Sequence, residues 1–302
     1  MLARRTRVVV VLVAFGVLAV GVLAQSRPAI TIRTFPAGEH VYMLAGAGGN
    51  LALLVGDDGA LMVDAEYGQI SDLVLAAVKE LTDQPLRLVI NTHWHFDHVG
   101  GNENLAKAGA LLIAHENVRK KMSSEQVLGA LGRTVPPSPP GALPVLTFND
   151  QLTLHWNGED VEVSHVDPPA HTDGDSFVYF RKANVLHVAD VYFNGMYPFI
   201  DVNAGGTLDG MIQAVDKALV MADAETKIIP GHGAMSNVTE LRAYRDMLAT
   251  ARDRIKPLVE QGKSRDEVIA AKPTAELDEK WGQGGFPPDQ WVGIVYDGMT
   301  RK

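Results

Sequence analysis

The chain has 302 residues, of which 46% are hydrophobic and 21% charged, a balance typical of globular proteins that excludes a disordered chain or a coiled coil. Its formal charge of −9 at pH 7 opposes the binding of polyanions, so we expect no nucleic-acid partner. The sequence contains no cysteine, which excludes disulfides and thiolate metal sites.

The N-terminal segment has the charge and apolarity of a signal peptide. Three arginines lie within the first seven residues and precede the uncharged apolar run Val8–Leu23, after which small residues stand where a signal peptidase reads. We therefore predict that the protein is periplasmic or secreted and that residues 1–24 are removed on export. The mature chain is then expected to have no stable membrane insertion. The alternative is an uncleaved membrane anchor, because the run is near the lower length limit for crossing a bilayer.

Residues 25–302 are predicted to form a single domain that begins with a meander of short strands. Apolar segments between Gly-rich or Asp-Gly turns predict strands at Ile30–Phe35, Val41–Leu44, Leu51–Val55 and Ala60–Asp64. Helical periodicity predicts a helix over residues 71–81, with its apolar face formed by Leu73, Ala76, Ala77 and Leu81. The run Leu86–Ile90 then predicts a strand directly before a histidine-rich segment.

The second half repeats this order of strands followed by helices. Strands are predicted at Ala110–Ala114, Leu152–Trp156, Val161–His165, Ser176–Phe180, Val185–Ala189 and Lys227–Ile229. Helices are predicted from Leu208 to Met221 and from Asn237 onward, where Glu240 gives a capping-box pattern. Two such halves favour two packed sheets with helices outside.

Two segments break this regular pattern. Prolines exclude a helix or a central strand from residues 135–144. We expect this segment to be an extended surface loop inserted beside the functional site. The Gly- and Pro-interrupted stretch Trp281–Trp291 is expected to pack back on the domain.

The segment Asn91–Gly101 places three histidines and one aspartate within six residues. His93 and His95 project in the same direction from extended backbone, while Asp97 and His98 follow the turn. Imidazole and carboxylate are ligands that Zn²⁺ accepts, and the arrangement suits two adjacent metal ions. A lone His-x-His pair would favour a polar surface loop, but four potential ligands in so short a segment favour a metal site.

This segment resembles the His-x-His-x-Asp-His signature of the metallo-β-lactamase superfamily. Three later segments resemble that family's other motifs: Pro168–Thr172 with His171, Val188–Asp190 with Asp190, and Ile229–Gly233 with His232. The resemblance implies an α+β fold, a four-layer αββα sandwich in a single domain, with the metal site at the sheet edge between the two halves.

The resemblance also implies the ligands and the cofactor. The two zinc ions per chain would be bound by His93, His95 and His171 and by Asp97, His98 and His232, with Asp190 as the bridge. Two zinc ions at such a separation share a water of lowered pKa, so a bridging hydroxide would be the nucleophile. Asp97 would also act in catalysis, by orienting the hydroxide and moving its proton.

Other site residues are predicted around this set. Asp64 resembles the family's buried aspartate that accepts a hydrogen bond within the ligand network, and a turn-capping role is the alternative. Substrate contacts are predicted after the bridging position, at Tyr192, Asn194 and Tyr197, for which packing of the aromatic rings is the alternative. The histidines outside the motifs are expected to be structural, namely His40, His115, His155, His165 and His187.

We therefore expect an exported dinuclear zinc hydrolase that cleaves a small cyclic amide, ester or lactone. β-Lactam hydrolysis is expected only as a side activity, because Phe193 stands three residues after Asp190, where a lysine would hold the β-lactam carboxylate. The alternative is a mononuclear iron redox enzyme like the persulfide dioxygenases of this fold. Those enzymes use a subset of the ligands, so the presence of all seven favours hydrolysis.

Overall fold

Two β-sheets share an apolar core and carry helices on their outer faces in this structure, a computed structural model that describes residues 30–301. From Thr31 onward the described residues form one compact unit. The predicted signal peptide, residues 1–24, lies outside the described residues. No helix within residues 30–301 combines the length and the apolar character that crossing a bilayer requires.

The first sheet has seven strands. They are β1 (Arg33–Gly38), β2 (Val41–Ala45), β3 (Leu51–Leu54), β4 (Ala60–Val63), β5 (Leu86–Asn91), β6 (Leu111–His115) and β9 (Leu146–Phe148), side by side in that order. The first four strands pair antiparallel, whereas β4, β5, β6 and β9 run parallel. Because parallel strands end on the same side, the residues after β4 and β5 meet at one edge of the sheet.

The second sheet has six strands, and a separate hairpin lies between the two sheets in sequence. The strands are β10 (Gln151–Trp156), β11 (Glu159–His165), β12 (Ser176–Phe180), β13 (Val185–Phe193), β14 (Lys227–His232) and β15 (Ser236–Asn237), in that order. The hairpin pairs β7 (Gln126–Leu128) with β8 (Arg133–Val135). Within the second sheet only β13 and β14 pair in parallel among the described strands.

The helices lie mainly between and after the strands. They are α1 (Ser71–Leu81), α2 (Phe96–Val99), α3 (Asn102–Lys107), α4 (Glu116–Met122), α5 (Leu208–Met221), α6 (Val238–Glu260), α7 (Arg265–Ala270), α8 (Asp278–Trp281) and α9 (Pro288–Thr300). The two longest predicted helices are confirmed, and Asn237 caps α6 by accepting a hydrogen bond from the Glu240 backbone N–H at 3.1 Å.

The apolar core divides into layers that confirm the four-layer arrangement. Val63 and Ile90 of the first sheet pack against Val163 and Val178 of the second in a common central cluster. The outer face of the first sheet is covered by α1 and α3 through Val74 and Leu105. The outer face of the second sheet is covered by α5, α6 and α9 through Met211, Leu248 and Trp291. The αββα sandwich predicted from the resemblance is therefore the fold of residues 30–301.

The buried face of α1 differs from the prediction. Leu73 is 41% exposed and Ala76 is exposed, whereas Val74, Ala77 and Val78 are buried. Both sets have helical spacing, so periodicity alone left the face ambiguous by one residue. Packing against the outer face of the first sheet selected the set with Val74 and Val78, while Ala77 belongs to both sets.

The strand that carries the predicted bridging residue is longer than expected. It continues past Ala189 to Phe193, so Asp190 lies inside the strand and not at its end. Its pairing with β14 is irregular around Ala189, which adopts a positive φ of 47°. The first strand also begins at Arg33, because Ile30 is 49% exposed and does not join the sheet.

The proline-rich segment is more ordered than an extended loop. Val135 ends the β7–β8 hairpin, and Pro140–Ala142 forms a 3₁₀ turn with Ala142 buried. The Ala142 carbonyl accepts a hydrogen bond from the Asn102 side-chain amide at 3.0 Å, which ties this segment to α3. The C-terminal stretch packs back on the domain as predicted, with Trp281 and Trp291 buried, although helix α9 was not foreseen.

Candidate metal centre

Strand ends from both sheets bring the seven predicted ligands together. His93 and His95 follow β5, and Asp97 and His98 lie on the short helix α2 directly after it. His171 lies between β11 and β12, while Asp190 and His232 lie on the parallel pair β13 and β14. The carboxyl ends of parallel strands thus converge at the junction of the two sheets.

These side chains form two groups that could each hold a metal ion. His93, His95, His171 and Asp190 form the first, and Asp97, His98 and His232 form the second, with the ligand atoms of each group within 4.8 Å of one another. In the first group, His171 Nε2 lies 2.8 Å from His95 Nδ1 and 3.5 Å from Asp190 Oδ2. Two ring nitrogens that face each other at this distance create a strong acceptor site for a cation.

Asp190 lies between the two groups. Its Oδ1 is 3.1 Å from His98 Nε2, and its Oδ2 is 3.3 Å from His232 Nε2 and 3.8 Å from His93 Nε2. Asp97 Oδ2 lies 3.4 Å from His232 Nε2 on the side of the second group. The predicted bridging position is therefore occupied by a carboxylate that contacts histidines of both groups.

Buried polar atoms in the centre fit bound metal ions. Within residues 30–301, the buried atoms His93 Nε2, His98 Nε2 and Asp190 Oδ1 make no hydrogen bond of acceptable angle, although the last two lie 3.1 Å apart. Leaving such atoms unpaired costs about 1–3 kcal/mol each, so a structure with three together calls for a ligand. Imidazole nitrogen and carboxylate oxygen are donors suited to zinc and similar divalent metals. The donor set and its burial both match a metal-binding residue cluster.

Three of the ring nitrogens that face away from the cluster are held by partners outside it. His98 Nδ1 pairs with Asp64 Oδ2 at 2.7 Å, and His95 Nε2 pairs with Asp201 Oδ2 at 3.1 Å. His171 Nδ1 lies 2.8 Å from the carbonyl oxygen of Phe199. An N–H donated outward fixes the tautomer that presents the other nitrogen to a metal.

Asp64 is fully buried and organises the loop after β5. It accepts hydrogen bonds from the backbone N–H and the hydroxyl of Thr92, each at 2.7 Å, in addition to its contact with His98. Its φ of +64° and the φ of +57° at Glu66 are uncommon for residues with side chains, and such conformations persist only where the surroundings enforce them. Asp64 therefore contacts both the proposed ligand His98 and the residue directly before His93.

Charge within the centre changes the pKa values of its members. Burial alone would lower the pKa of His98, but the carboxylates of Asp190, Asp97 and Asp64 raise it well above its usual value. Burial would raise the pKa of Asp190, but the neighbouring His98 and His232 hold it well below its usual value. Asp190 is thus ionised, as a metal ligand must be.

Two glycines allow the backbone to approach the cluster. A Cβ at Gly49 would collide with the ring of His98, and a Cβ at Gly231 would collide with Asp190 Oδ1. Gly231 lies directly before His232 in its motif, so the close approach of β14 to β13 depends on that residue.

A cavity of about 300 Å³ opens beside the cluster. Four of its lining residues belong to the two metal groups, namely His95, Asp97, Asp190 and His232. The rest are apolar, aromatic or glycine: Phe96, Leu128, Leu131, Phe193, Met196, Tyr197, Phe199, Gly285 and Phe286. We call these nine residues the apolar wall.

The predicted substrate contacts have different positions. Tyr197 lines the cavity, although its hydroxyl donates to Asp278 Oδ1 at 2.7 Å. Tyr192 is instead fully buried in the core, where its hydroxyl bonds with Asn194 Oδ1 and Ser236 Oγ, each at 2.9 Å. Asn194 donates to the Ala234 carbonyl and does not line the cavity. Side chains alternate along a strand, so Phe193 faces the cavity and its neighbour Tyr192 faces the core.

Three residues of the centre and its cavity were not identified from the sequence. Asp201 is buried and contacts His95, and Phe199 and Phe286 form part of the cavity. None of the three lies in a recognisable motif. An acidic residue within an apolar stretch was the only available signal for Asp201.

The histidines outside the motifs are placed away from the cluster or in its support. His115 and His165 stack on each other with ring centres 3.8 Å apart, and His187 lies 3.0 Å from the Asn50 carbonyl oxygen. His40 is exposed, and His155 is exposed beside Asp160 at 2.6 Å. These contacts agree with the structural roles predicted for them.

Comparison with known proteins bears on the family and the fold. The sequence profile of the metallo-beta-lactamase superfamily matches residues 45–232. The hydroxyacylglutathione hydrolase GloC of Haemophilus influenzae is 26% identical over 186 residues, which cover 61% of this chain and 86% of that protein. The acyl-coenzyme A thioesterase MBLAC2 of Bos taurus is 25% identical over 209 residues, which cover 61% of this chain and 72% of that protein.

Other relatives are matched over about half of their length, and solved structures agree in fold. The matches cover 48% of the 2,4-dinitroanisole O-demethylase subunit alpha of Nocardioides and 56% of the hydroxyacylglutathione hydrolase of Pelagibacter ubique, about half of each. A metallo-beta-lactamase from Pontibacter korlensis matches with a TM-score of 0.60 at 17% identity, covering 72% of this chain and 99% of that chain. That likeness concerns the fold alone.

Proposed function

Because the chain belongs to the metallo-β-lactamase superfamily, we propose that it is a dinuclear zinc hydrolase. Its substrate is a small-molecule carboxylic acid derivative, namely an ester, a thioester, a lactone or a cyclic amide. The observation that carries the proposal is the position of Asp190, whose carboxylate contacts histidines of both groups of potential ligands. A centre for one metal would not require the second group.

The proposed ligands form two metal-binding positions. His93, His95 and His171 would hold one zinc ion, Asp97, His98 and His232 the other, and Asp190 would contact both. Metal ions bound here would supply Lewis-acid chemistry, which activates water and polarises a substrate carbonyl. Asp64 and Asp201 keep the rings of His98 and His95 in the orientation that binding needs.

Asp97 is the carboxylate best placed to act on the substrate side. Its side chain is 15% exposed, compared with 4% for Asp190, and it lines the cavity. A carboxylate at this position can accept a proton from water and pass it to a leaving group. We therefore assign Asp97 a role in proton transfer in addition to metal binding.

The bond that is cleaved is inferred from the relatives and from the cavity. Two of the relatives are named as a hydroxyacylglutathione hydrolase and an acyl-coenzyme A thioesterase, which supports hydrolysis at an acyl group. β-Lactam hydrolysis is proposed only as a side activity. Phe193 stacks on His232 with ring centres 4.9 Å apart, so an aromatic ring occupies the position where a cation would hold the β-lactam carboxylate.

Metal analysis and a substrate panel test this function. Purified protein saturated with zinc should contain two zinc ions per chain and should hydrolyse at least one of p-nitrophenyl acetate, an acyl thioester, a lactone or nitrocefin. Removal of zinc with a chelator should abolish the activity, and zinc should restore it. One iron and no zinc after metal-replete expression would contradict the proposal and favour the mononuclear redox alternative.

We also propose that the protein is exported and loses residues 1–24. The support is the arginine-rich start and the apolar run Val8–Leu23. N-terminal sequencing of protein from its native host should find Gln25 first. An intact Met1 in the membrane fraction would favour the anchor instead.

A further inference from the structure

Eight of the nine residues of the apolar wall come from three segments that carry none of the proposed ligands, and the ninth, Phe96, lies between His95 and Asp97. Leu128 and Leu131 come from the β7–β8 hairpin and the turn that joins its strands. Phe193–Phe199 includes the end of β13 and the chain after it, and Gly285 and Phe286 precede α9. The cavity therefore depends on parts of the chain beyond the metal motifs.

An aromatic stack connects the metal cluster to the C-terminal segment. The ring of Phe199 lies between His95, with ring centres 5.5 Å apart, and Phe286, with ring centres 5.3 Å apart, and both pairs are nearly parallel at 27° and 18°. Leu131 on the opposite segment is 43% exposed, a large exposed fraction for leucine. A ligand in the cavity would cover part of this apolar surface, and that burial favours binding.

The wall offers little to a polar or charged group. The hydroxyl of Tyr197 donates to Asp278, so only the aromatic ring of Tyr197 is available to a ligand in the cavity. Within the part of the chain that the structure describes, no lysine or arginine lines the cavity. The guanidinium of Arg133 lies 4.3 Å from the ring centre of Phe96, but Arg133 lines a separate cleft with Tyr67 and Gln69. An anion placed against the wall would lose water without gaining a counter-ion from the side chains of the wall.

We propose that the substrate carries a neutral apolar group, an alkyl chain or an aromatic ring, that binds against the apolar wall, and that Phe286 and Leu131 determine this specificity. The inference rests on the proposed function, because it places the apolar group next to the bond that is cleaved. A cavity of about 300 Å³ lies at the lower end of the range for small-molecule sites. An alkyl chain or a small aromatic group suits that volume better than a large peptide-like group does.

A series of p-nitrophenyl esters from acetate to octanoate tests the preference in the zinc-loaded protein. Each buried methylene contributes about 0.8 kcal/mol, so kcat/KM should rise by up to about fourfold per methylene until the cavity is filled. Phe286→Ala and Leu131→Ser should each reduce the ratio of octanoate to acetate activity by about tenfold, because both remove wall surface.

The matched control for Leu131→Ser is Leu73→Ser. Leu73 is 41% exposed, close to the 43% of Leu131, and lies on α1 at the outer face of the first sheet. Leu73→Ser should leave the ratio of octanoate to acetate activity unchanged. A wild-type protein that prefers acetate, or a ratio that Phe286→Ala and Leu131→Ser leave unchanged, would overturn the inference while the proposed hydrolase function stands.

A binding experiment separates failure of the inference from failure of the function. N-phenyl-1-naphthylamine and 1-anilinonaphthalene-8-sulfonate share one aromatic skeleton, but only the second carries an anionic group. The neutral probe should bind the zinc-loaded protein at least about tenfold more tightly, and Phe286→Ala should weaken that binding by a similar factor while Leu73→Ser should not.

The outcomes of the two experiments differ in what they contradict. Selective binding of the neutral probe without hydrolysis of any ester would contradict the proposed function and support the apolar wall as a ligand site. Equal binding of both probes, or binding that Phe286→Ala does not weaken, would contradict the inference.

Discussion

The metal centre and the apolar wall adjoin each other but are built by different forces. In the centre, directional contacts hold rings such as those of His98, which pairs with Asp64, and His95, which pairs with Asp201. In the wall, side chains such as Phe199 and Phe286 are positioned by stacking and burial. Directional contacts tolerate little displacement, whereas packed surfaces can adapt. Changes in the centre should therefore affect every substrate, and changes in the wall should depend on the substrate's size and charge.

The largest effect is expected from Asp190→Ala. This change removes the carboxylate that contacts both groups of proposed ligands, so at least one metal should be weakened and turnover should fall by orders of magnitude for all substrates. Metal content and kcat/KM measured on the same preparation check the prediction. Asp209→Ala, at an aspartate whose side chain is 57% exposed, is the control, and normal activity in the Asp190 variant would refute the bridging role.

Trp291→Ala should destabilise the support of the wall without changing the metal ligands. The Trp291 ring is fully buried, stacks on Tyr197 with ring centres 4.1 Å apart and donates to the Pro198 carbonyl at 2.9 Å. Truncation of a buried tryptophan lowers the free energy of unfolding by about 3–5 kcal/mol. Urea unfolding measures this loss of stability, which should be smaller for Trp291→Phe than for Trp291→Ala. A loss of zinc affinity at unchanged stability would contradict the separation of the two regions.

Asp201→Asn tests whether the contacts behind the ligands matter. Asparagine keeps the size of the side chain but removes the charge that faces His95 Nε2. Mutation of a residue that hydrogen-bonds to a metal ligand changes metal affinity or activity by about 10–100-fold. We therefore expect the zinc affinity of Asp201→Asn to fall by a factor of that order. Zinc titration against a competing chelator measures it. An unchanged zinc affinity would show that Asp201 supports only the fold.

Phe193→Lys should change the selectivity of the wall. A cation at this position could hold the carboxylate of a penicillin, a charge-assisted contact of about 1.5–3 kcal/mol, and should lower the KM for penicillins by roughly ten- to a hundredfold. Zinc content should not change. Hydrolysis of penicillins by the wild-type protein at kcat/KM above about 10⁶ M⁻¹s⁻¹ would contradict the view that this activity is a side activity.

The smallest effect concerns pH and a histidine pair that belongs to neither region. Burial lowers the pKa of His115, and its stacked neighbour His165 adds to the shift. A pKa lowered in the folded state means that neutral His115 stabilises the fold. This contribution is complete above the unfolded pKa of about 6.5 and is lost as the pH falls through the folded value.

His115→Asn should therefore weaken the loss of unfolding free energy between pH 7 and pH 5, by at most about 1.4 kcal/mol per pH unit for one proton. Asparagine can still accept the hydrogen bond that the His115 ring accepts from the Asn117 backbone N–H. Denaturant unfolding of zinc-free protein at several pH values measures the slope. An equal slope in the variant would show that other histidines carry the whole effect.

Much of the fold could be predicted because its signals are local. Helix α5 has the predicted bounds, and the strands of both sheets other than β9 and β15 were found to within a few residues, since periodicity and turn residues act over short distances. The buried face of α1 and the extension of β13 past Ala189 could not be predicted. Both depend on which neighbouring surface the element packs against, and spacing alone does not state that.

The sequence by itself determined the type of chemistry, because the ligand residues stand in short motifs whose spacing follows from strand and turn geometry. Only the tertiary structure decided what surrounds them. Asp201, Phe199 and Phe286 lie outside those motifs, and the fold brings Asp201 and Phe199 to His95 and Phe286 to Phe199 through contacts that have no local pattern. It also turned Tyr192 into the core and Phe193 into the cavity, since successive side chains of a strand face opposite sides and packing selects the side.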